Sequence, residues 1–201
     1  DKAQQQLIAD KYGIRVYDKN YDAAKEADVI VFAVKPQIMQ QVVKEISKNI
    51  EVKNKLILSV AAGIKICSIE NWLGQVTAIV RVMPNMPALI QAGASALYSN
   101  SATLDKQKNA AETIMRSVGV ATWLDSEEQM DAVTALSGSG PAYFFYFMEL
   151  MESHAIEMGL NKEDAKLLTI ETALGAAKMA LLSSFDLKTL RKQVTSTGGT
   201  T

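Results

Sequence analysis

Apolar and polar positions follow two rhythms along this chain, and the change falls near residue 125. The first part alternates short apolar runs with amphipathic stretches. After an opening helix over Asp1 to Lys11, Ile14 to Tyr17 (IRVY) reads as a short strand and DAAKEAD as a short helix. Val29 to Val34 (VIVFAV) is apolar at every position, which suits a strand covered on both faces. Pro36 stops that run, and Ile38, Val42, Val43 and Ile46 then recur at helical spacing. LILSVAAG predicts a strand entering a glycine turn, SIENWLG a short helix with Ser68 as N-cap, and TAIVRVMP a further strand. ASALYS and VATWLD predict two more strands around the helix LDKQKNAAETIMRSVG. Strand, helix, strand at this cadence predicts an α/β layer with a mainly parallel sheet.

From Ser126 onward the strand rhythm disappears. Long stretches rich in Ala, Leu and Met predict helices, with Gly159-Leu160-Asn161 as a stop followed by a cap. The helix expected over 162–183 carries Ala165, Leu167, Leu168, Ile170, Ala173, Leu174, Ala176, Ala177, Ala180 and Leu181. A helix apolar nearly all round is normally buried on all sides. The other helical segments are too few to cover it, so a partner chain is the expected lid. The expected domains are therefore 1–125 and 126–201.

Composition narrows the function classes. Of 201 residues 48% are hydrophobic and 21% charged, enough for a real core, and the net charge of −1 favours neither nucleic acid nor an anionic membrane as partner. One cysteine, Cys67, leaves no internal disulfide framework and suits a reducing compartment. No apolar run approaches the roughly 18 to 20 residues of a membrane span, and the polar N-terminus does not read as a signal peptide. The expectation is a soluble, cytoplasmic protein.

Candidate chemistry gathers at strand ends, where open α/β sheets bind ligands. Ala33-Val34-Lys35-Pro36, Ser59-Val60-Ala61-Ala62-Gly63 and Met83-Pro84-Asn85-Met86-Pro87 each end a predicted strand. Pro and Gly punctuate strand ends generally, but three small-residue ends in register would let a flat ligand lie close to the backbone. The eleven glycines contain no GxGxxG, so pattern alone leaves nucleotide binding open. Ser137-Gly138-Ser139-Gly140-Pro141 reads equally as a helix joint or as a close backbone approach to a ligand. The tail Thr195-Ser196-Thr197-Gly198-Gly199-Thr200-Thr201 suits a flexible linker, or an anion held by backbone N–H groups and hydroxyls. His154 stands alone without metal spacing and reads as surface or packing; Cys67 reads as a small packed thiol, and Asp125 to Glu128 as a helix opening without chemistry. No metal site is expected.

Taken together, VIVFAVKPQ, SVAAGI, VRVMPNMPALIQAGASALY, DAVTALSGSGPAYFFYF and QVTSTGGTT resemble the pyrroline-5-carboxylate reductases in order and spacing over essentially the whole chain. SGSGPAY and TSTGGTT are the most specific of these markers. The resemblance implies a Rossmann-like dinucleotide-binding domain with a mainly parallel sheet, followed by an all-α dimerisation domain. It implies reduction of 1-pyrroline-5-carboxylate to L-proline with NADPH or NADH, and a homodimer or higher homo-oligomer. A first strand and Gly-rich loop would precede residue 1 and further helix would follow residue 201, so the chain is expected to be cut at both ends and to turn over poorly by itself. Ala33, Lys35 and Pro36 would line the cofactor crevice, with Asn20 near the adenosine end. Val60, Ala61, Ala62 and Asn85 would lie along the nicotinamide ribose and ring. Ser196, Gly199 and Thr200 would hold the substrate carboxylate, and Thr201 would place its hydroxyl at the imine nitrogen as the catalytic group. Thr197 departs from the family, which often has Pro there. Two other readings remain: a related dehydrogenase of hydroxy acids or other imines, with Lys162, Lys166 or Lys178 as base, and a non-catalytic helical dimerisation scaffold.

Overall fold

The computed structural model describes residues 2–195 and 198. It divides into two compact units, 1–141 and 142–201. The first unit is a sheet of five strands in sequential order, β1 (Val29–Phe32), β2 (Leu56–Ser59), β3 (Ala78–Met83), β4 (Gly93–Ser99) and β5 (Gly119–Trp123). β1, β2 and β3 pair in parallel, β3 and β4 antiparallel, and β4 and β5 in parallel.

Each helix lies where its apolar stripe meets a sheet face. α3 (Pro36–Asn49) begins on Pro36, whose fixed φ and missing N–H suit a first helical position. It turns Met39, Val43 and Ile46 inward, beside Ile66, Ile69 and Leu73 of α4 (Ile66–Leu73) and against Ile30, Phe32, Ile57 and Ile79 of the sheet. The opposite face buries Leu56, Leu58, Val80, Val82 and Leu97 under Ala111 and Met115 of α5 (Asp105–Arg116). All four residues of β2 are buried, which explains why Leu56, Ile57 and Leu58 are apolar without alternation.

Three local expectations are corrected. Ile14 to Tyr17 is not a strand; a strand needs a hydrogen-bonded neighbour, and among the described residues none pairs with it. Instead Arg15 and Tyr17 both donate to Glu26 (2.7 and 2.9 Å) at the end of α2 (Asn20–Glu26), beyond α1 (Lys2–Tyr12). Ser68 does not cap α4, which starts two residues earlier with Lys65 at the N-cap. Cys67 is exposed rather than packed, because the stripe facing the sheet is Ile66, Ile69 and Leu73.

After β5 come α6 (Gln129–Val133), a π-turn over Thr134–Gly138, and α7 (Gly140–Glu157), whose first turn closes the first unit. The second unit holds the rest of α7, then α8 (Lys162–Leu182) and α9 (Leu187–Gln193). Asn161 caps α8 by accepting from the Asp164 N–H at 2.9 Å, after Gly159 in the left-handed region. α7 exposes Tyr143, Phe144, Phe145, Tyr146 and Phe147 in succession, and α8 exposes Leu167, Leu168, Ile170 and Leu174. So much exposed apolar surface marks a face that associates with another surface.

Candidate functional site

The carboxyl ends of β1, β2 and β3 lie side by side. Phe32 is in register with Ser59, and Ser59 with Arg81, so the residues that follow form three adjacent loops about 4.8 Å apart. Val60 donates its N–H to the Phe32 carbonyl at 3.1 Å, fixing the second loop against the first. Ala33 and Lys35 are exposed and Pro36 half-buried; Ala61 is buried, while Ala62 and Gly63 are exposed. In the first two loops, Ala33 to Pro36 and Val60 to Gly63, no side chain but Lys35 is longer than valine or proline; the third carries Met83, Asn85 and Met86. The backbone of the first two is therefore open to a ligand, as a dinucleotide needs, and α3 and α4 both start at this end.

Asn85 follows β3 and is half-buried. Its amide is engaged at both ends: Oδ1 accepts from the Ala94 N–H at 2.9 Å and Nδ2 donates to the Ser137 carbonyl at 3.0 Å. It joins the loop after β3 to the start of β4 and to the π-turn. Gly138 lies against Met83, whose Cε would be 2.5 Å from a Cβ at that position, so this stretch of SGSGP is a close packing joint. Asn20 comes from none of the three loops but meets the first of them at Val34. It opens α2 and borders a groove along the outer edge of β1 with Ala23, Val31, Val34 and Val42. Ser196, Gly199, Thr200 and Thr201 lie outside the described residues.

One cluster was missed by the sequence reading. Arg81 of β3 and Glu127 form an ion pair at 2.9 Å with only 6% and 17% of their side chains exposed. The same Glu127 Oε1 accepts from the Ile66 N–H, the first of α4, at 2.8 Å. No linear motif joins residues 66, 81 and 127; a charged residue inside the apolar strand TAIVRVM was the available signal. Beside it, the Glu128 carboxyl is held below its ordinary range by its own backbone N–H first and the Ser126 hydroxyl next, with a smaller pull from Lys65.

His154 is exposed on α7, with its Nδ1 2.9 Å from the Leu150 carbonyl of its own helix. Among the described residues no group of three His, Cys, Asp or Glu is placed to hold a metal. Among them, also, no helix is long and apolar enough to cross a membrane.

The family model for pyrroline-5-carboxylate reductase dimerisation matches residues 127–201, and that for coenzyme F420-dependent NADP oxidoreductases matches residues 1–63. A pyrroline-5-carboxylate reductase of Pseudomonas aeruginosa is 48% identical over 198 residues, covering 98% of this chain and 72% of the relative. This chain belongs to the pyrroline-5-carboxylate reductase family. Solved structures of the family agree in fold. That of Coxiella burnetii has a TM-score of 0.90 at 43% identity, covering 98% of this chain and 73% of the other. The Plasmodium falciparum enzyme, solved with NADP bound, has a TM-score of 0.85 at 33% identity, covering 91% of this chain and 69% of that one. The Rossmann-like sheet followed by helices is thus the family's architecture.

Proposed function

We propose that this protein reduces 1-pyrroline-5-carboxylate to L-proline, the step that completes proline biosynthesis. The observation that carries the reading is family identity across the chain, coinciding with three adjacent loops at the carboxyl ends of β1, β2 and β3. A reduced nicotinamide, NADPH or NADH, supplies the hydride when bound. Ala33, Lys35 and Pro36 border the crevice, Val60, Ala61 and Ala62 run along the ribose and ring, and Asn20 stands toward the adenosine end. With both amide ends engaged, Asn85 acts here by holding the ring end of the crevice in shape.

The reaction adds a hydride to the carbon of the C=N bond and leaves a proton on the nitrogen. A protonated cyclic imine accepts hydride readily, so orientation and charge matter more than a strong base. Ser196, Gly199 and Thr200 offer hydroxyl and N–H donors for the substrate carboxylate, and the Thr201 hydroxyl is the group we assign to the imine nitrogen. The functional division falls near residue 126, supported by the start of the dimerisation match at 127. The exposed apolar faces of α7 and α8 support a homodimer, and the single cysteine supports a cytoplasmic setting.

The test is the loss of reduced-nicotinamide absorbance on adding 1-pyrroline-5-carboxylate to the purified natural protein, with hydroxy acids and unrelated imines as competitors. Faster turnover of a hydroxy acid or another imine would move the assignment to a related dehydrogenase. No turnover, with no thermal shift by L-proline or NADP, would leave a dimerisation scaffold.

A further inference from the structure

α4 begins without a side-chain cap of its own: Lys65 at its N-cap offers no acceptor. Its first N–H is satisfied instead by Glu127, 61 residues away, whose carboxylate does what an N-cap carboxylate does locally. That oxygen also accepts from Arg81, so the carboxylate is held from the strand side while it holds the helix. Ile66 is four residues from Ala62, and the chain between them is the loop leaving β2. Ten residues after Glu127 comes the second tie, where Ser137 accepts from Asn85 on the loop leaving β3, and the next residue, Gly138, packs on Met83. The stretch 127–138 is thus pinned at one end to the β2 loop and at the other to the β3 loop. It also opens the part of the chain matched by the dimerisation model.

We propose that residues 127–138 are a strap that sets the spacing of the two loops bordering the nicotinamide end of the crevice, with Glu127 as its positioning residue. This rests on the functional reading above, in which Val60 to Ala62 run along the cofactor. Glu127 touches no substrate; it acts through the Ile66 N–H and the backbone of the loop. Arg81 neutralises the carboxylate in a buried place and keeps it aimed, which a lone buried carboxylate would not allow.

The decisive variant is the double substitution Arg81→Met with Glu127→Leu, because replacing both members of a buried pair by apolar residues commonly preserves the fold. Glu127→Asp is the companion: it keeps the charge beside Arg81 but shortens the reach to Ile66. For each, hydrogen exchange over 60–69, NADPH affinity by nicotinamide fluorescence, and both Michaelis constants are measured on the natural protein. The expected result is faster exchange over 60–69 and an NADPH affinity about tenfold or more weaker, as for loss of a charge-assisted hydrogen bond that positions a loop. The KM for 1-pyrroline-5-carboxylate stays within about twofold; loss of folded protein would instead lower kcat and leave both Michaelis constants unchanged. A folded double variant with parental NADPH affinity overturns the strap, as does unchanged exchange over 60–69. Should the double variant fail to fold, Glu127→Asp decides by the same two readouts. Parental protein that binds NADPH without reducing the pyrroline refutes the proposed reaction while the titration still tests the strap; parental protein that binds no NADPH overturns both.

Discussion

Asn100, at the turn after β4, uses all four hydrogen-bonding positions of its side chain. Oδ1 accepts from the Ile79 N–H at 3.1 Å and the Thr103 hydroxyl at 2.7 Å. Nδ2 donates to Glu70 at 2.8 Å and to the Thr77 carbonyl at 2.9 Å. In Asn100→Ala, Glu70 regains water and Thr103 keeps its bond to the Ile79 carbonyl, so the cost concentrates on two backbone groups of β3 and its entry. Leaving a buried N–H and a carbonyl without partners costs about 3 kcal/mol in total, at 1–3 kcal/mol for each such group. At about 2–4 °C per kcal/mol for a chain of this size, the melting temperature falls by about 6–12 °C. Asn100→Asp keeps the acceptor but turns an oxygen toward the Glu70 carboxylate and the Thr77 carbonyl, which raises the new carboxyl's pKa in the fold. A raised acid stabilises the fold only below its unfolded pKa of about 3.9, and that contribution is lost as pH rises through the folded value. The deficit of the Asp variant relative to the parent is therefore largest near neutrality and shrinks toward about pH 4. Thermal unfolding followed by tryptophan fluorescence reads this directly, since Trp72 and Trp123 both lie within 1–141. A fall below about 2 °C for the Ala variant, or an Asp deficit that ignores pH, refutes the network.

Gly119 has φ +146° and a Cβ there would land on the Gly93 carbonyl, so Gly119→Ala costs about 3 kcal/mol or more and shows as a loss of soluble, cooperatively melting protein. Glu112 is held below the usual carboxylate range by the Trp123 indole N–H first and Arg116 second, a stabilisation present above the unfolded pKa and lost as pH falls through the lowered one. Trp123 emission should change on acidification through that window in a Trp72→Phe background, and Glu112→Gln should abolish the change. Leu168, 56% exposed on α8, sits on the surface we assign to a second copy. Leu168→Glu should halve the mass seen by light scattering, and a monomeric parent would refute that assignment.

The sheet and its helices were legible because their cause is local. A strand apolar at every position, a proline at a helix start and a stripe at helical spacing are each written in consecutive residues, and β1, β2, α3 and α5 stand where those signals put them. IRVY carries the same local signal and fails, because a strand also needs a neighbour. The row of crevice loops followed from strand order, but the fastening of those loops did not. Glu127 looked like an ordinary acidic helix opening and Asn85 like a ligand group; their hydrogen bonds span 61 and 52 residues to Ile66 and Ser137, and nothing in either neighbourhood encodes such a reach. Asn100 was invisible for the same reason, being one polar residue in a polar turn.

The reversal between β3 and β4 separates the first unit into two working faces. The loops of the crevice leave the strands at one end, while the turns at 50–55, 74–77 and 100–104 gather at the other, with Val76 80% exposed among them. The far end lies away from the crevice loops, and among its residues Val76 makes little of the packing that holds the unit together. A label or a short insertion beside Val76 would therefore travel as a silent passenger, and a lineage could tune its tolerance of heat there without renegotiating what it binds.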